Sequence, residues 1–192
     1  MSTIRKTADH RLERSIRRPG SGSARRWAGA LTWLATMTMG LMAGLFYAFA
    51  VSVMPGLART DDHTLVLAMQ KINAAIENAV FAASFFGAFV FTGAAAIVHH
   101  RLGWRAAARW TLAALALYVV ALIITMGVNV PLNARLASVG DPGVISDLAA
   151  VRARFEGTWV TANTARAVAC TLALGCLARA LSRHGRSEPE GR

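Results

Sequence analysis

The sequence is poor in charge, and poorest in acid. Ten Asp and Glu stand against 21 Lys and Arg among 192 residues, and only 16% of the chain is charged while 55% is hydrophobic. A soluble domain carries about a quarter of its residues as charges, so this composition argues against one. There are two cysteines, Cys170 and Cys176, and no CxxC pair. Six residues apart on one apolar run, they sit at bearings about 240° different on a helix and cannot bond each other there. Thiol redox chemistry therefore lacks its usual motif. No P-loop, dinucleotide-binding glycine pattern or nucleophile elbow occurs. Nor is there a helix-turn-helix, zinc-finger or RNA-binding signature, so the net charge of +11 does not point to nucleic acid. The apolar runs hold no facing histidines of the kind that grip a haem in a bundle. His99 and His100 are adjacent, pointing about 100° apart, and read as interfacial residues. His63 stands alone in a loop. Metal ligation has no support in these spacings.

What the sequence does have is long apolar runs, with a mean hydropathy of +0.41. They cover residues 27–57, 80–98, 110–130 and 157–177, each close to or above the ~20 residues that cross a bilayer as a helix. The first follows two Arg-Arg pairs and contains Ala48-Phe49-Ala50, which together resemble an export signal. It far exceeds the ~7–15 apolar residues of a signal-peptide core, and is retained as a span. The expected fold is all-α, an integral membrane four-helix bundle. Residues 1–26 read as a disordered basic cytoplasmic tail, 27–181 as the transmembrane domain and 182–192 as a polar tail. Met54-Pro55-Gly56 is expected to end the first span. Asn129-Val130-Pro131-Leu132-Asn133 is expected to end the third, because proline breaks the hydrogen-bond ladder.

Basic residues flank the spans. Eight precede Trp27 (Arg5, Lys6, Arg11, Arg14, Arg17, Arg18, Arg25 and Arg26), and the turn between spans two and three carries Arg101 and Arg105 without an acid. The other two loops mix signs. Both termini are therefore expected in the cytoplasm, in a bacterial cytoplasmic membrane, with the basic flanks meeting lipid head groups. Each outer loop is expected to hold a short interfacial helix. That in 61–77 has Leu65, Met69 and Ile72 at helical spacing. On the first span Thr36, Gly40, Gly44 and Tyr47 share a face, and the GxxxG step allows close approach by another helix.

The fourth span carries a polar stripe. Glu156, Trp159, Asn163, Arg166 and Cys170 fall within an arc of about 80°. Arg166 is expected roughly 13 Å beyond Gly157 at about 1.5 Å per residue, where a charge costs ~2–3 kcal/mol or more. Such a group faces the bundle interior and takes a partner. Asn73, Glu77, Asn78, Asn129 and Asn133 are expected at the same level, forming with Arg166 a polar pocket roofed by Trp159 and Tyr47.

Several motifs resemble one known family. They are the stretch from Gly40 through Gly44 to Phe49, then Val53-Met54-Pro55, then Met69-Gln70 to Asn73. Asn129-Val130-Pro131-Leu132-Asn133 and the series Trp159, Asn163, Arg166 follow in order. Together they span roughly residues 30 to 180, and the chain resembles the anthrone-oxygenase-like family of small four-helix membrane proteins. The resemblance implies oxidation of a hydrophobic aromatic by O2 with no bound metal or flavin, hence no cofactor. In that reading Arg166 stabilises an oxyanion, helped by Asn163, Asn129 or Asn133. Glu77 or Glu156 is the base, Asn73 orients it, and Trp159 and Tyr47 stack on the rings. The implied partners are a hydrophobic small molecule and membrane lipid. The long basic N-terminal stretch departs from the fungal members, so the substrate does not carry over. A carrier using the same pocket without a base, and a structural protein in which Arg166 pairs internally, are the competing readings. The sequence leaves the oligomeric state open.

Overall fold

A computed structural model describes residues 21–184. Helix α1 is Ser21–Ala48, continued by a π turn at Phe49–Val53 and a last turn at Met54–Leu57. Helix α2 is Asp62–Ile76 and α3 is Ala79–Arg101. Helix α4 is Arg105–Ile124, continued by a π turn at Thr125–Asn129 and by Val130–Ser138. After a short 3₁₀ turn at Pro142–Val144, α5 runs unbroken over Leu148–His184. Four of these helices, α1, α3, α4 and α5, are long and apolar enough to cross a bilayer, and the protein is an integral membrane protein.

Each long helix packs on two others, α1 on α3 and α5, and α4 on α3 and α5. Successive spans are thus neighbours, the up-and-down arrangement that short connections favour. The contact surfaces are built from small residues: Ala35, Ala43, Ala88, Ala114, Ala121 and Ala173 are all buried in one cluster with Met39 and Leu177. Between lipid-soaked helices there is no water to expel, so close packing through small side chains supplies the attraction. The outer surface instead shows Trp33, Leu41, Val90, Ile97, Ile123 and Leu172, which is how a bundle meets hydrocarbon. Tyr118 is fully buried at the centre and donates its hydroxyl to the carbonyl of Phe85 at 2.7 Å. Tyr118→Phe is expected to lower stability by about 1 kcal/mol, read as a fall in melting temperature in detergent.

The third span does not stop at Pro131, as the sequence suggests. The two X-Pro steps inside the spans, Met54-Pro55 and Val130-Pro131, sit directly after a π turn: Met54 N–H bonds Phe49 O, and Val130 N–H bonds Thr125 O. A proline in an α-helix collides with the carbonyl four residues back and leaves it without a donor. A wider turn, one residue longer, absorbs both defects and lets the helix continue. The other boundaries also move outward. The helical residues 21–26 were expected in the basic tail, and residues 182–184 in the polar one; residues 1–20 and 185–192 lie outside the described part. The stretch ahead of Gly157 is the start of α5, not a separate interfacial helix. His99, His100 and Arg101 form the last turn of α3 rather than a loop, and Gly103 makes the turn at φ +73°, a backbone that favours glycine. His99, at the end of the span, is buried against α1, with Nε2 3.3 Å from Thr32 Oγ1. The GxxxG step does not make a tight crossing either. A Cβ on Gly44 would meet nothing within 4 Å.

Helix α2 closes one end of the bundle. Asp61 caps it, accepting from Thr64 N at 2.9 Å and Thr64 Oγ1 at 2.8 Å. These bonds hold the Asp61 carboxyl below its ordinary range. A depressed carboxylate stabilises above its unfolded value, so this cap is in place at neutral pH and is lost only as pH falls through the lowered value. Leu65, Val66 and Met69 bury against Leu136 of α4 and Val151, Phe155 and Trp159 of α5. The expected short helix of this loop is therefore present and packed onto the end of the bundle.

Candidate functional site

Beneath α2 lies a cavity of about 120 Å³, and Arg166 forms its inner wall. Arg166 stands 18 residues from each end of α5 and is 5% exposed. Its Nη2 donates to Asn163 Oδ1 at 3.0 Å, and Nη1 reaches Thr125 Oγ1 at 3.4 Å. The guanidinium carbon lies 4.3 Å from the centre of the Phe46 ring and 5.6 Å from that of Trp159, so two aromatic faces take the place of solvent. Among the described residues no carboxylate lies within 4 Å of it. Its Nε has no hydrogen-bond partner.

The neighbours are held in place one by one. Asn163 Nδ2 donates to Phe46 O at 3.0 Å, just ahead of the first π turn. Trp159 Nε1 donates to Asn133 Oδ1 at 2.8 Å. Asn129, in the second π turn, sends Nδ2 toward Trp159 O at 3.4 Å and leaves Oδ1 buried without a partner. Asn73 of α2 has a buried Nδ2 in the same condition. Buried polar atoms are nearly always satisfied, and three exceptions, Arg166 Nε, Asn129 Oδ1 and Asn73 Nδ2, belong to residues lining this one cavity. Both π turns supply lining residues, Phe49 from the first and Thr125 and Asn129 from the second.

Of the residues singled out from the sequence, Arg166, Asn163, Trp159, Asn129, Asn133, Asn73 and Glu77 line this one cavity. Glu77 sits at its rim, exposed, as the C-terminal cap of α2. Asn78 is instead the N-cap of α3, accepting from Val80 N and Phe81 N at 3.0 Å.

Two residues stand elsewhere. Tyr47 is 59% exposed on the outside of α1. The ring in the cavity is that of Phe46, one residue and about 100° away. Glu156 lies further along α5, where it binds Arg152 Nε at 2.6 Å. Arg152 also reaches Asp62 Oδ1 at 3.1 Å and the carbonyls of Ala58 and Thr60. Glu156 thus belongs to a clasp that ties the α1–α2 connection to α5. Sequence reading did not single out Phe46, Phe49, Phe81 or Thr125 as lining residues. Thr125 follows Tyr118 by seven residues and precedes Asn129 by four, which puts the three on one helix face, whereas nothing in the pattern separates Phe46 from the other apolar residues of α1.

The arrangement is a buried cation, ringed by amides and aromatic faces, with a carboxylate at the mouth. It can hold a planar molecule by its faces, stabilise negative charge on an oxygen, and receive a proton at the rim. A family model described as anthrone oxygenase matches residues 76–176, more than half of the chain. The match takes in Glu77, Asn129, Asn133, Trp159, Asn163 and Arg166, but not Phe46 or Asn73. No curated protein and no solved structure matches the chain.

Proposed function

The chain belongs to the anthrone oxygenase family, and from that premise we propose that it oxidises a flat aromatic ketone of the anthrone class to the quinone with O2. The observation that carries this reading is the buried Arg166 guanidinium, which has no carboxylate partner and faces a cavity with unpartnered amide atoms. A cation held out of water without a counter-ion is costly, and an oxyanion that forms during a reaction repays that arrangement only in the transition state.

In an anthrone the methylene lies across the central ring from the carbonyl. With the carbonyl oxygen inward at Arg166, the methylene faces the rim, where Glu77 takes one of its protons. The resulting enolate is an oxyanion at Arg166, with Asn163 and Asn129 as neighbours. Its carbon adds O2 and takes back a proton as a hydroperoxide. Loss of water from that carbon, with its remaining hydrogen, leaves the second carbonyl. One anthrone and one O2 thus give one anthraquinone and one water, and the only co-reactant needed is O2. Phe46 and Trp159 supply the stacking faces, and Asn73, whose Nδ2 has no partner within the protein, is left free to bind the substrate. The basic flanks of the spans favour both termini on the cytoplasmic side, and the Arg-rich, Ala-rich composition favours a bacterial membrane.

Turnover under isotopically labelled O2 tests this. The quinone is expected to carry one labelled oxygen and the water the other. Quinone without label would refute oxygen addition, and saturable binding without any turnover would favour the carrier reading.

A further inference from the structure

The cavity is too small for the whole of a fused tricycle. A space of about 150 Å³ holds a single benzene ring, whereas this one offers about 120 Å³. Beside it, on the outer face between α3 and α4, lies an apolar groove of about 370 Å³. Glu77, Phe81, Thr125 and Val130 line both. Beyond these shared residues the groove is walled mainly by carbon, with Ala82, Phe85, Phe86 and Met126. The polar groups of Arg166, Asn129 and Asn163 belong to the cavity and not to the groove. Val130 is 46% exposed, on a surface whose other apolar residues face lipid.

The end of the bundle is a poor alternative route. There α2 is fastened on two sides, by Gln70 Nε2 to the carbonyls of Leu136 and Gly140, both at 2.9 Å, and by the Arg152 clasp. Opening it breaks charged and neutral hydrogen bonds together. Opening the side requires only rotamer changes of two apolar side chains, which are fast. A fused-ring ketone also concentrates in hydrocarbon rather than in water.

We infer that the substrate reaches the site laterally from the bilayer, through a portal between α3 and α4 whose jambs are Phe81 and Val130. The oxygen-bearing edge seats in the cavity, and the rest of the skeleton remains in the groove. The site therefore selects fused-ring ketones over single-ring ones by the area that the groove covers. This rests on the oxygenase reading for the identity of the occupant; the route rests on the two adjoining spaces.

The test uses the full chain in phospholipid vesicles and anthraquinone as a non-reacting probe, followed by quenching of protein tryptophan fluorescence. Val130→Phe is expected to slow association and dissociation together by about tenfold. Phe81→Ala is expected to speed both, and Ile123→Phe, at a lipid-facing position that lines neither space, to change neither. Unchanged rates in both jamb variants would overturn the portal and leave the oxygenase reading standing. An absence of saturable quenching in the unmodified protein would overturn that reading, and the portal with it.

Discussion

Arg166→Met is expected to abolish oxygen uptake while leaving the protein folded. Removing a group that stabilises a developing oxyanion costs about 100- to 1,000-fold in rate. The effect on folding is a balance of opposed terms. Loss of the charge relieves about 2.5–3.5 kcal/mol on membrane-insertion scales. Against this, Asn163 Oδ1 loses the Arg166 bond, and an orphaned buried acceptor costs about 1–3 kcal/mol. The stacking on Phe46 is partly retained by the methionine thioether. Net stability should therefore change by no more than about 1 kcal/mol. An arginine that merely stapled helices through an ion pair would behave differently, because breaking a buried pair costs about 3–5 kcal/mol. Turnover per folded molecule and the melting temperature in detergent separate the two. Retained turnover with a collapsed melting temperature would assign Arg166 to structure.

The second large effect distinguishes two carboxylates that look equivalent in the sequence. Glu77→Gln is expected to lower kcat about 100-fold or more, the usual contribution of a positioned base, because Glu77 is the carboxylate that lines the cavity. Glu156→Gln should leave turnover within about twofold. Its cost falls on stability, under about 1 kcal/mol for a partly exposed pair, since Arg152 keeps Asp62 and two carbonyls. A melting curve and initial rates on both variants check this, and the reverse pattern would move the base to Glu156.

Those two glutamates show what a sequence does and does not encode. Glu156 shares the angular stripe of Trp159, Asn163 and Arg166, and periodicity reports angle well. It does not report which groups of other helices lie at the same height: Asp62 of α2 and two carbonyls fix Arg152 there, and Arg152, one turn back on α5, captures Glu156. Tyr47 fails by one residue: on α1 both 46 and 47 are aromatic, and a rotation of about 100° decides which enters the cavity. The four spans were legible because bilayer thickness demands long apolar runs. Their true ends were not. Pro131 reads as a stop, yet the preceding π turn carries α4 on to Ser138, and a π turn has no composition of its own. The convergence of Asn73, Asn129, Asn133 and Glu77 on Arg166 was legible in outline, since polar groups in lipid-embedded helices must face one another. The orphaned atoms Asn73 Nδ2, Asn129 Oδ1 and Arg166 Nε depend on side-chain positions, and only the folded chain reveals them.

The proposed role of Arg166 is to form an oxidation site within the bundle. It is tested most directly by oxygen uptake of the protein in vesicles supplied with anthrone, comparing the unmodified chain with Arg166→Met at equal folded concentration. The account predicts one O2 consumed per anthrone by the former and uptake at the uncatalysed rate by the latter. Equal uptake by both, or none above background by either, would contradict it.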